Sequence, residues 1–445
     1  MKTIKTNLLI TGLLLLVSGF TGQAQSKAWK LEDCINYALG KNIQVQKAIL
    51  SVNQSQLTSD QAKNNRLPNL GASVNQNFNW SKGFDSTTGQ TVNGRGTNST
   101  SYSLNSNVLL FNGGKLSTKM KQAELDLLNG QFYTEAVKES VGLNILNAYL
   151  QVLYANESVS NAKKQIEATS EQLDLAKERM NTGLISMADY LQIKSELATE
   201  KSTLATAQSQ FSITKVTLMQ LMELPVDPDF TVSSPNLDNL LVLTEKADAQ
   251  SIYNLALGIK PQIKNAELSK ESTLLDVKIA KADFLPTLQL GAGLTSGYSS
   301  LATGANYTGQ LKDKVSPSVG LSLAIPIFQK KQVKTNVSLA NIAVSNAELD
   351  ELNTKNTLRK EIEQACVDVE TAKSEYAAGL EQNQSSVESY NVTDEKYKVG
   401  LLNSVDFLVQ KTNLITSESK LLQSKFRLIF SYKVLDFYKG VPLVL

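Results

Sequence analysis

One turn occurs twice in this sequence, as Gly183-Leu184-Ile185-Ser186-Met187-Ala188-Asp189-Tyr190-Leu191 and as Gly400-Leu401-Leu402-Asn403-Ser404-Val405-Asp406-Phe407-Leu408. The copies start at positions 183 and 400. The same offset relates two further pairs, Phe111 with Phe328 and Pro225 with Pro442. This period is far longer than the roughly 20–50 residues of solenoid repeats. The sequence therefore predicts one duplicated unit.

Long helices flank both turns. Apolar and small residues at 141–180 alternate spacings of four and three, which is a heptad pattern, and the pattern recurs at the same offset in the second half. After the turns, a strict seven-residue apolar repeat runs through 190–218 and 407–435. We expect the helices before and after each turn to pair as antiparallel coiled coils, with a glycine capping each incoming helix.

Four short segments alternate apolar residues with Asn, Ser, Thr and Gly, which is the period of a β-strand. Strands of about 10–12 residues are long enough to cross a bilayer when tilted, although a soluble sandwich would alternate in the same way. We place them at about 69–81, 100–111, 287–298 and 317–328. The intervening segments, 81–99 and 299–315, are rich in Gly, Ser, Thr and Asn and are predicted to be extracellular loops.

Four strands cannot close a membrane barrel. A strand in lipid needs a hydrogen-bonding partner at every edge, and the smallest single-chain barrels have about eight strands. Several copies must therefore share one barrel if the strands are embedded. Three chains would supply twelve strands, which is wide enough for an aqueous lumen.

Residues 1–24 have the features of a secretory signal peptide. Lys2 and Lys5 precede an apolar stretch at 8–20, and Gly22-Gln23-Ala24 forms a small-residue cleavage site. The two repeats are then placed at 25–235 and 236–445. The two cysteines, Cys34 and Cys366, are expected to be free and buried, with a disulfide between them as the alternative.

The composition argues against several functions. A net charge of +2 without a basic stripe gives no support for nucleic-acid binding. Histidine is absent, which removes Ser-His-Asp and Cys-His catalysis together with the common zinc sites. No nucleophile motif or phosphate-binding loop is present. We therefore expect neither an enzyme nor a cofactor or metal site.

The order long helix, strand pair, long helix, turn and return helix occurs twice, with helix-to-strand junctions at Leu67-Pro68 and Leu285-Pro286. In this order and in its Gly-Leu-x-x-x-x-Asp turns, the chain resembles the TolC-like outer-membrane efflux proteins. The resemblance implies a mainly α fold with a membrane β-barrel, in which a homotrimer forms a twelve-stranded barrel in outer-membrane lipid. The barrel continues into a twelve-helix tunnel in the periplasm, which docks to a periplasmic adaptor (membrane fusion) protein and an inner-membrane pump.

The resemblance also implies roles for residues near the turns. Asp189 and Asp406 match an acidic residue that closes the periplasmic entrance, and Tyr397 matches a member of the closing hydrogen-bond network, where a Tyr397–Asp189 bond is possible. The family's gate arginine and a second entrance aspartate are replaced by Leu402 and Val409. The alternative role of the two aspartates is to stabilise the N-termini of the return helices. The turn tips are expected to contact the adaptor through Gly183, Leu184, Gly400 and Leu401.

The function expected from these features is a passive exit duct of a tripartite efflux or type I secretion system. A structural coiled-coil surface protein or adhesin is the alternative if the strands lie outside the membrane.

Overall fold

The computed structural model describes residues 28–80, 82–85, 87–93, 96–235, 248–302 and 304–445. The predicted signal peptide at 1–24 lies outside these residues. The elements of the first half are α1 (Leu31–Lys41), α2 (Ile43–Asn64), β1 (Gly71–Asn79), β2 (Lys82–Asp85), β3 (Gln90–Asn93), β4 (Thr97–Phe111), α3 (Lys115–Asn181) and α4 (Met187–Leu221). The described helices include none that is long and apolar enough to cross a membrane.

The second half repeats the same order of long elements. Its elements are α5 (Ala249–Ile259), α6 (Pro261–Ala282), β5 (Thr287–Ser299), α7 (Tyr307–Asp313), β6 (Ser316–Ala324), α8 (Gln332–Lys398) and α9 (Ser404–Tyr438). The paired long helices have equal lengths, 67 residues for α3 and α8 and 35 residues for α4 and α9. The duplication seen in the sequence is therefore also a duplication of structure.

The chain divides into two compact units, which we name by their content. Among the described residues, the helical unit comprises 28–47, 136–235, 248–260 and 358–445, and those of the sheet unit fall within 48–135 and 261–357. Within the helical unit the predicted heptad stripes are buried, including Ile145 and Val152 on α3 and Leu358 and Ile362 on α8. Packing of these stripes accounts for helices whose sequences mix many polar residues with the apolar ones.

The sheet unit contains one antiparallel sheet with the order β1-β4-β5-β6. Leu104 lies opposite Leu294 and Leu290 lies opposite Leu321, so apolar residues share one face across neighbouring strands. Polar residues share the other face, where the Ser73 and Ser103 hydroxyls are 2.7 Å apart. The two edge strands, β1 and β6, are exposed along their whole lengths.

The strands of this sheet lie near the predicted positions, with two differences. The fourth strand ends at Ala324 instead of about 328, because Pro326 has no N–H with which to continue the ladder. The two segments predicted as loops also contain regular structure. Strands β2 and β3 form a hairpin within the first, and the short helix α7 lies within the second.

The two cysteines agree with the expectation. Cys34 and Cys366 are both buried and both free. Burial, with a smaller contribution from the charge of Asp33, raises the pKa of the Cys34 thiol to about 12. A thiol in this state is a poor nucleophile, which fits a packing role.

The return helices end in matched turns, although the residues differ. Glu223 follows α4 with φ 56°, and Gly440 follows α9 at the equivalent position of the second repeat with φ 77°. In both turns the amide of the next residue donates to a carbonyl five residues back, at 2.8 and 2.9 Å. A left-handed conformation costs about 1–2 kcal/mol for a residue with a Cβ. Glu223 therefore carries a strain that Gly440 does not.

Glu223→Gly should raise the stability of the protein by about 1 kcal/mol, because glycine adopts the left-handed conformation without strain. The measurement is the midpoint of thermal unfolding by circular dichroism in detergent. Glu223→Ala is the control, since it removes the carboxylate but keeps the Cβ. An equal gain from both variants would mean that charge, and not backbone strain, limits stability at this turn.

Candidate gate at the helix turns

Each incoming helix ends at a glycine in the left-handed conformation. Gly183 has φ 75° and Gly400 has φ 82°. In both turns the amide of the following leucine donates to a carbonyl five residues back, at 2.9 Å. Those leucines, Leu184 and Leu401, are each 76% exposed. The four predicted tip residues therefore lie at the ends of two equivalent turns, with an apolar side chain presented at each.

Both predicted entrance aspartates cap a return helix. The Asp189 amide donates to the Ser186 hydroxyl at 3.1 Å, and the Ser186 amide donates to the Asp189 carboxylate at 3.2 Å. In the second turn the Asp406 amide donates to the side-chain oxygen of Asn403 at 2.8 Å, and the Asn403 side-chain amide donates back to the carboxylate at 3.0 Å. Stabilisation of the helix N-termini is therefore one role of both aspartates.

Asp189 has a further contact that connects the two turns. The buried Ser404 hydroxyl, at the first residue of α9, donates a hydrogen bond to the Asp189 carboxylate at the start of α4. The Ser186 and Ser404 hydroxyls together hold the pKa of Asp189 below its usual range. The charged form of Asp189 is therefore the form that ties the start of α4 to the start of α9.

Tyr397 takes part in packing instead of in the predicted hydrogen bond. Its ring stacks on Phe407, with centroids 4.6 Å apart and planes inclined by 19°. Its hydroxyl is buried and has no hydrogen-bond partner among the described residues. The structure therefore does not contain the predicted Tyr397–Asp189 hydrogen bond, and that prediction is wrong. Asp189 bonds the two serines, while stacking on Phe407 orients the tyrosine ring.

Arg179 supplies a charged contact that the sequence reasoning missed. It lies in the last turn of α3, and its guanidinium donates to the Tyr397 carbonyl at 2.8 Å and to the Lys398 carbonyl. Both carbonyls belong to the last turn of α8, where helical carbonyls lack partners within the helix. Leu402 occupies the position of the family's gate arginine. A basic residue near a helix end is common, so the sequence alone gave little sign of this contact.

The turns enclose a small apolar core that we name the gate cluster. Its buried members are Ala176, Ile193, Tyr397 and Phe407, one from each of the four helices. Partly buried residues pack around them, namely Leu173, Ile185, Tyr190, Tyr390, Leu402 and Leu408. Each large apolar side chain contributes about 1.5–3 kcal/mol when it is fully buried. Packing is therefore the larger part of what holds the four helix ends together.

A buried ion pair lies one helical turn beyond Phe407 along α9. Lys411 and Glu200 approach to 2.7 Å, and their side chains are 4% and 5% exposed. The Thr169 hydroxyl donates to Glu200 and accepts a hydrogen bond from Lys411. The three residues connect α3, α4 and α9. Glu200 lies three residues after Leu197 and four before Leu204, so it falls on the same face of α4 as the predicted apolar repeat. A charged residue on this core-facing stripe is the sequence signal that could have revealed the ion pair.

Lys411→Met should destabilise the helical unit by about 3–5 kcal/mol, because it leaves the Glu200 carboxylate buried without its partner. Adding Glu200→Leu should recover most of the loss, since an apolar pair of similar volume replaces the ions. Thermal unfolding in detergent measures both effects, with Lys420→Met on the exposed face of α9 as the control. A double variant as unstable as Lys411→Met would show that the hydroxyl of Thr169 also needs a charged partner.

The chain matches the outer membrane efflux protein family over residues 34–223 and 252–430. Among curated relatives it is 20% identical over 407 residues to toxin and drug export protein A of Aggregatibacter actinomycetemcomitans, covering 90% of this chain and 84% of the relative. It is 23% identical over 430 residues to outer membrane protein TolC of Escherichia coli K12, covering 94% of this chain and 83% of the relative.

Solved structures support the same fold. The crystal structure of CusC, studied for folding and transmembrane channel formation, superposes with a TM-score of 0.79 at 17% identity, covering 95% of this chain and 96% of CusC. The predicted fold class and outer-membrane location are confirmed, and so is the role of an exit duct without enzymatic activity. The chain belongs to the outer membrane efflux protein family.

Proposed function

We propose that three copies of the chain form one channel and that the paired turns close its periplasmic end. The observation that carries this proposal is the pair of free sheet edges, β1 and β6, each nine residues long and fully exposed. A strand of about 9–11 residues spans the hydrocarbon when tilted, and its free N–H and C=O groups cannot remain unpaired there. Pairing β6 of one copy with β1 of the next, three times over, closes a ring of twelve strands.

The faces of the sheet fit the two environments of such a ring. Val74, Val319 and Leu321 belong to the apolar face and are exposed in the single chain, so they would contact outer-membrane lipid. Ser73 and Ser103 belong to the polar, uncharged face and would line the lumen. A lumen lined in this way suits a passive duct, because it offers water-like contacts without a strong binding site.

The edge proposal is tested by Val74→Pro. In an antiparallel pair, the amides of alternate β1 residues point toward β4. The Asn69 amide donates to the Asn107 carbonyl at 3.0 Å, so the odd-numbered residues of β1 direct their amides toward β4 and the even-numbered residues direct them away. The Val74 amide then points away from β4, toward the next copy. We expect Val74→Pro to abolish heat-modifiable trimer bands in outer-membrane fractions, whereas Val74→Thr keeps them. Monomeric wild-type protein in those fractions would contradict the trimer.

We propose that the gate is closed by contacts within each chain as well as between chains. Arg179 holds the end of α8 to α3, and Asp189 with Ser404 holds α4 to α9. Tyr397 contributes through its ring in the gate cluster. Opening then requires that these ties break or that the four helix ends move together. The exposed Leu184 and Leu401 supply the apolar contacts for a periplasmic adaptor, which would connect the duct to an inner-membrane pump.

Arg179→Ala should raise the resting conductance of the channel several-fold in planar bilayers. A hydrogen bond from a charged donor contributes about 1.5–3 kcal/mol, and here it holds the last turn of α8 in the closed arrangement. Tyr397→Phe is the matched control, since the tyrosine hydroxyl has no partner to lose within the described structure. A large leak from Tyr397→Phe with none from Arg179→Ala would reverse these roles.

The carboxylates at the turns should differ in their effect on ion selectivity. Asp406 is exposed and bonded to Asn403 in the first turn of α9, and a trimer presents it three times. Asp406→Asn should therefore weaken cation selectivity, because like charges around an entrance attract cations. Asp189→Asn should mainly weaken closure, since its carboxylate is bound by two serines. Reversal potentials in a salt gradient measure the difference, and unchanged selectivity in Asp406→Asn would remove it from the entrance.

A further inference from the structure

The connection from β6 to α8 contains two adjacent lysines whose backbone is in the left-handed conformation that favours glycine. Lys330 has φ 52° and Lys331 has φ 62°. The equivalent connection of the first repeat, from β4 to α3, contains Gly113 with φ 67° and Gly114 with φ 80°. A left-handed backbone is costly for residues with a Cβ and free of strain for glycine. The fold therefore requires the shape of this turn but does not require lysine, so the lysine side chains need a separate explanation.

The residues just before the lysines are apolar and exposed. Ile327 is 95% exposed and Phe328 is 80% exposed, and both follow the last residue of β6 within four positions. Because the strands lie in the outer membrane and the helices that continue from them lie in the periplasm, this connection lies at the periplasmic surface of the bilayer. Apolar side chains followed by lysines match the change from hydrocarbon to headgroups at that depth.

A cavity of about 710 Å³ lies beside this connection within the sheet unit. Its lining includes the apolar residues Ile325, Pro326 and Phe328 and the polar residues Lys330 and Asn336. The lining therefore combines apolar and charged side chains, as a site at a bilayer surface does.

The charges around the cavity favour an anionic ligand. Asp283 also lines the cavity, but Lys115 approaches it to 2.6 Å and offsets its charge. Lys330 and Lys331 are exposed and have no ion-pair partner among the residues that the structure describes. Lys330 thus brings an uncompensated positive charge to a cavity with apolar residues in its lining, and Lys331 adds a second charge at the next position of the chain.

We propose that Lys330 and Lys331 bind the phosphate of an anionic phospholipid in the periplasmic leaflet of the outer membrane. An acyl chain of this lipid lies along Ile325 and Phe328. The proposal rests on the outer-membrane location and on the orientation of the duct, and it adds a lipid site that the duct function does not require. The two lysines then fix the depth of the channel at the junction between strands and helices.

The test uses trimers extracted from outer-membrane fractions and examined by native mass spectrometry. Phosphatidylglycerol, phosphatidylethanolamine and sn-glycerol 3-phosphate are titrated separately. The variant Lys330→Gly/Lys331→Gly copies the first repeat, so it removes both charges and relieves the backbone at once. A basic residue near an anionic lipid surface contributes about five-fold in binding, so the loss of both should weaken phosphatidylglycerol retention about 25-fold. Phosphatidylethanolamine retention should change little.

Lys163→Gln/Lys164→Gln is the matched control, because it removes two adjacent exposed lysines from α3 in the helical unit. It should retain phosphatidylglycerol as the wild type does. Equal retention by the glycine variant would overturn the proposal. Competition by glycerol 3-phosphate at the same concentration as phosphatidylglycerol would indicate a phosphate site and would also overturn it.

Loss of heat-resistant trimers in the glycine variant would assign the cavity to contact with a neighbouring copy and would overturn the lipid site. Failure of the wild-type chain to reach the outer membrane would contradict the duct itself. That failure would be seen in the fractionation step, before any lipid is measured. The two proposals therefore fail by different observations.

Discussion

A backbone amide or carbonyl in hydrocarbon must have a hydrogen-bond partner, and the arrangement of this chain depends on that requirement. The sheet pairs its four strands with one another and leaves one edge of β1 and one edge of β6 without partners in the single chain. The apolar face of the sheet suits contact with lipid. The free edges would leave backbone N–H and C=O groups unpaired if a single chain were embedded there. The proposed trimer follows from these two free edges, because β6 of one copy can pair with β1 of the next.

The two helix turns have the same backbone conformation but different side chains, and in the proposed gate this difference determines which contacts hold it closed. Both glycines and both capping aspartates occupy equivalent positions. Only Asp189 receives the cross-turn bond from Ser404, and only the first repeat supplies Arg179, since Lys396 takes the equivalent position in the second. In the proposed gate, closure within one chain is therefore asymmetric, because the first repeat supplies both charged side chains that contact the second, Arg179 and Asp189.

The periodic features of this fold could be predicted from the sequence, because each depends on local spacing. The heptad stripes identified the buried faces of α3 and α8, and the turn glycines identified the ends of these helices. The gate contacts could not be predicted in this way. Arg179 and Tyr397 are 218 residues apart, and the hydrogen bond between them depends on how two helix ends meet. The β2–β3 hairpin was missed for a local reason, since its two strands have four residues each and are too short to establish a period.

The helix breaks of the two repeats are equivalent in position but differ in the side chain that contacts the return helix. Asn42 and Lys260 occupy equivalent breaks, between α1 and α2 and between α5 and α6, and each reaches the end of its own return helix. Asn42 donates to the Leu221 carbonyl at 2.9 Å, whereas the Lys260 ammonium lies 3.3 Å from the centre of the Phe437 ring. Burial lowers the pKa of Lys260, and the nearby charge of Glu139, 3.2 Å away, opposes that shift. The contact between a helix break and the end of the return helix is thus a neutral hydrogen bond in the first repeat. In the second repeat it is a cation–π contact from a buried lysine. The breaks themselves have local causes: the Asn42 side chain accepts from the Gln44 amide at 2.9 Å at the start of α2, and Pro261 at the start of α6 favours an extended backbone at Lys260.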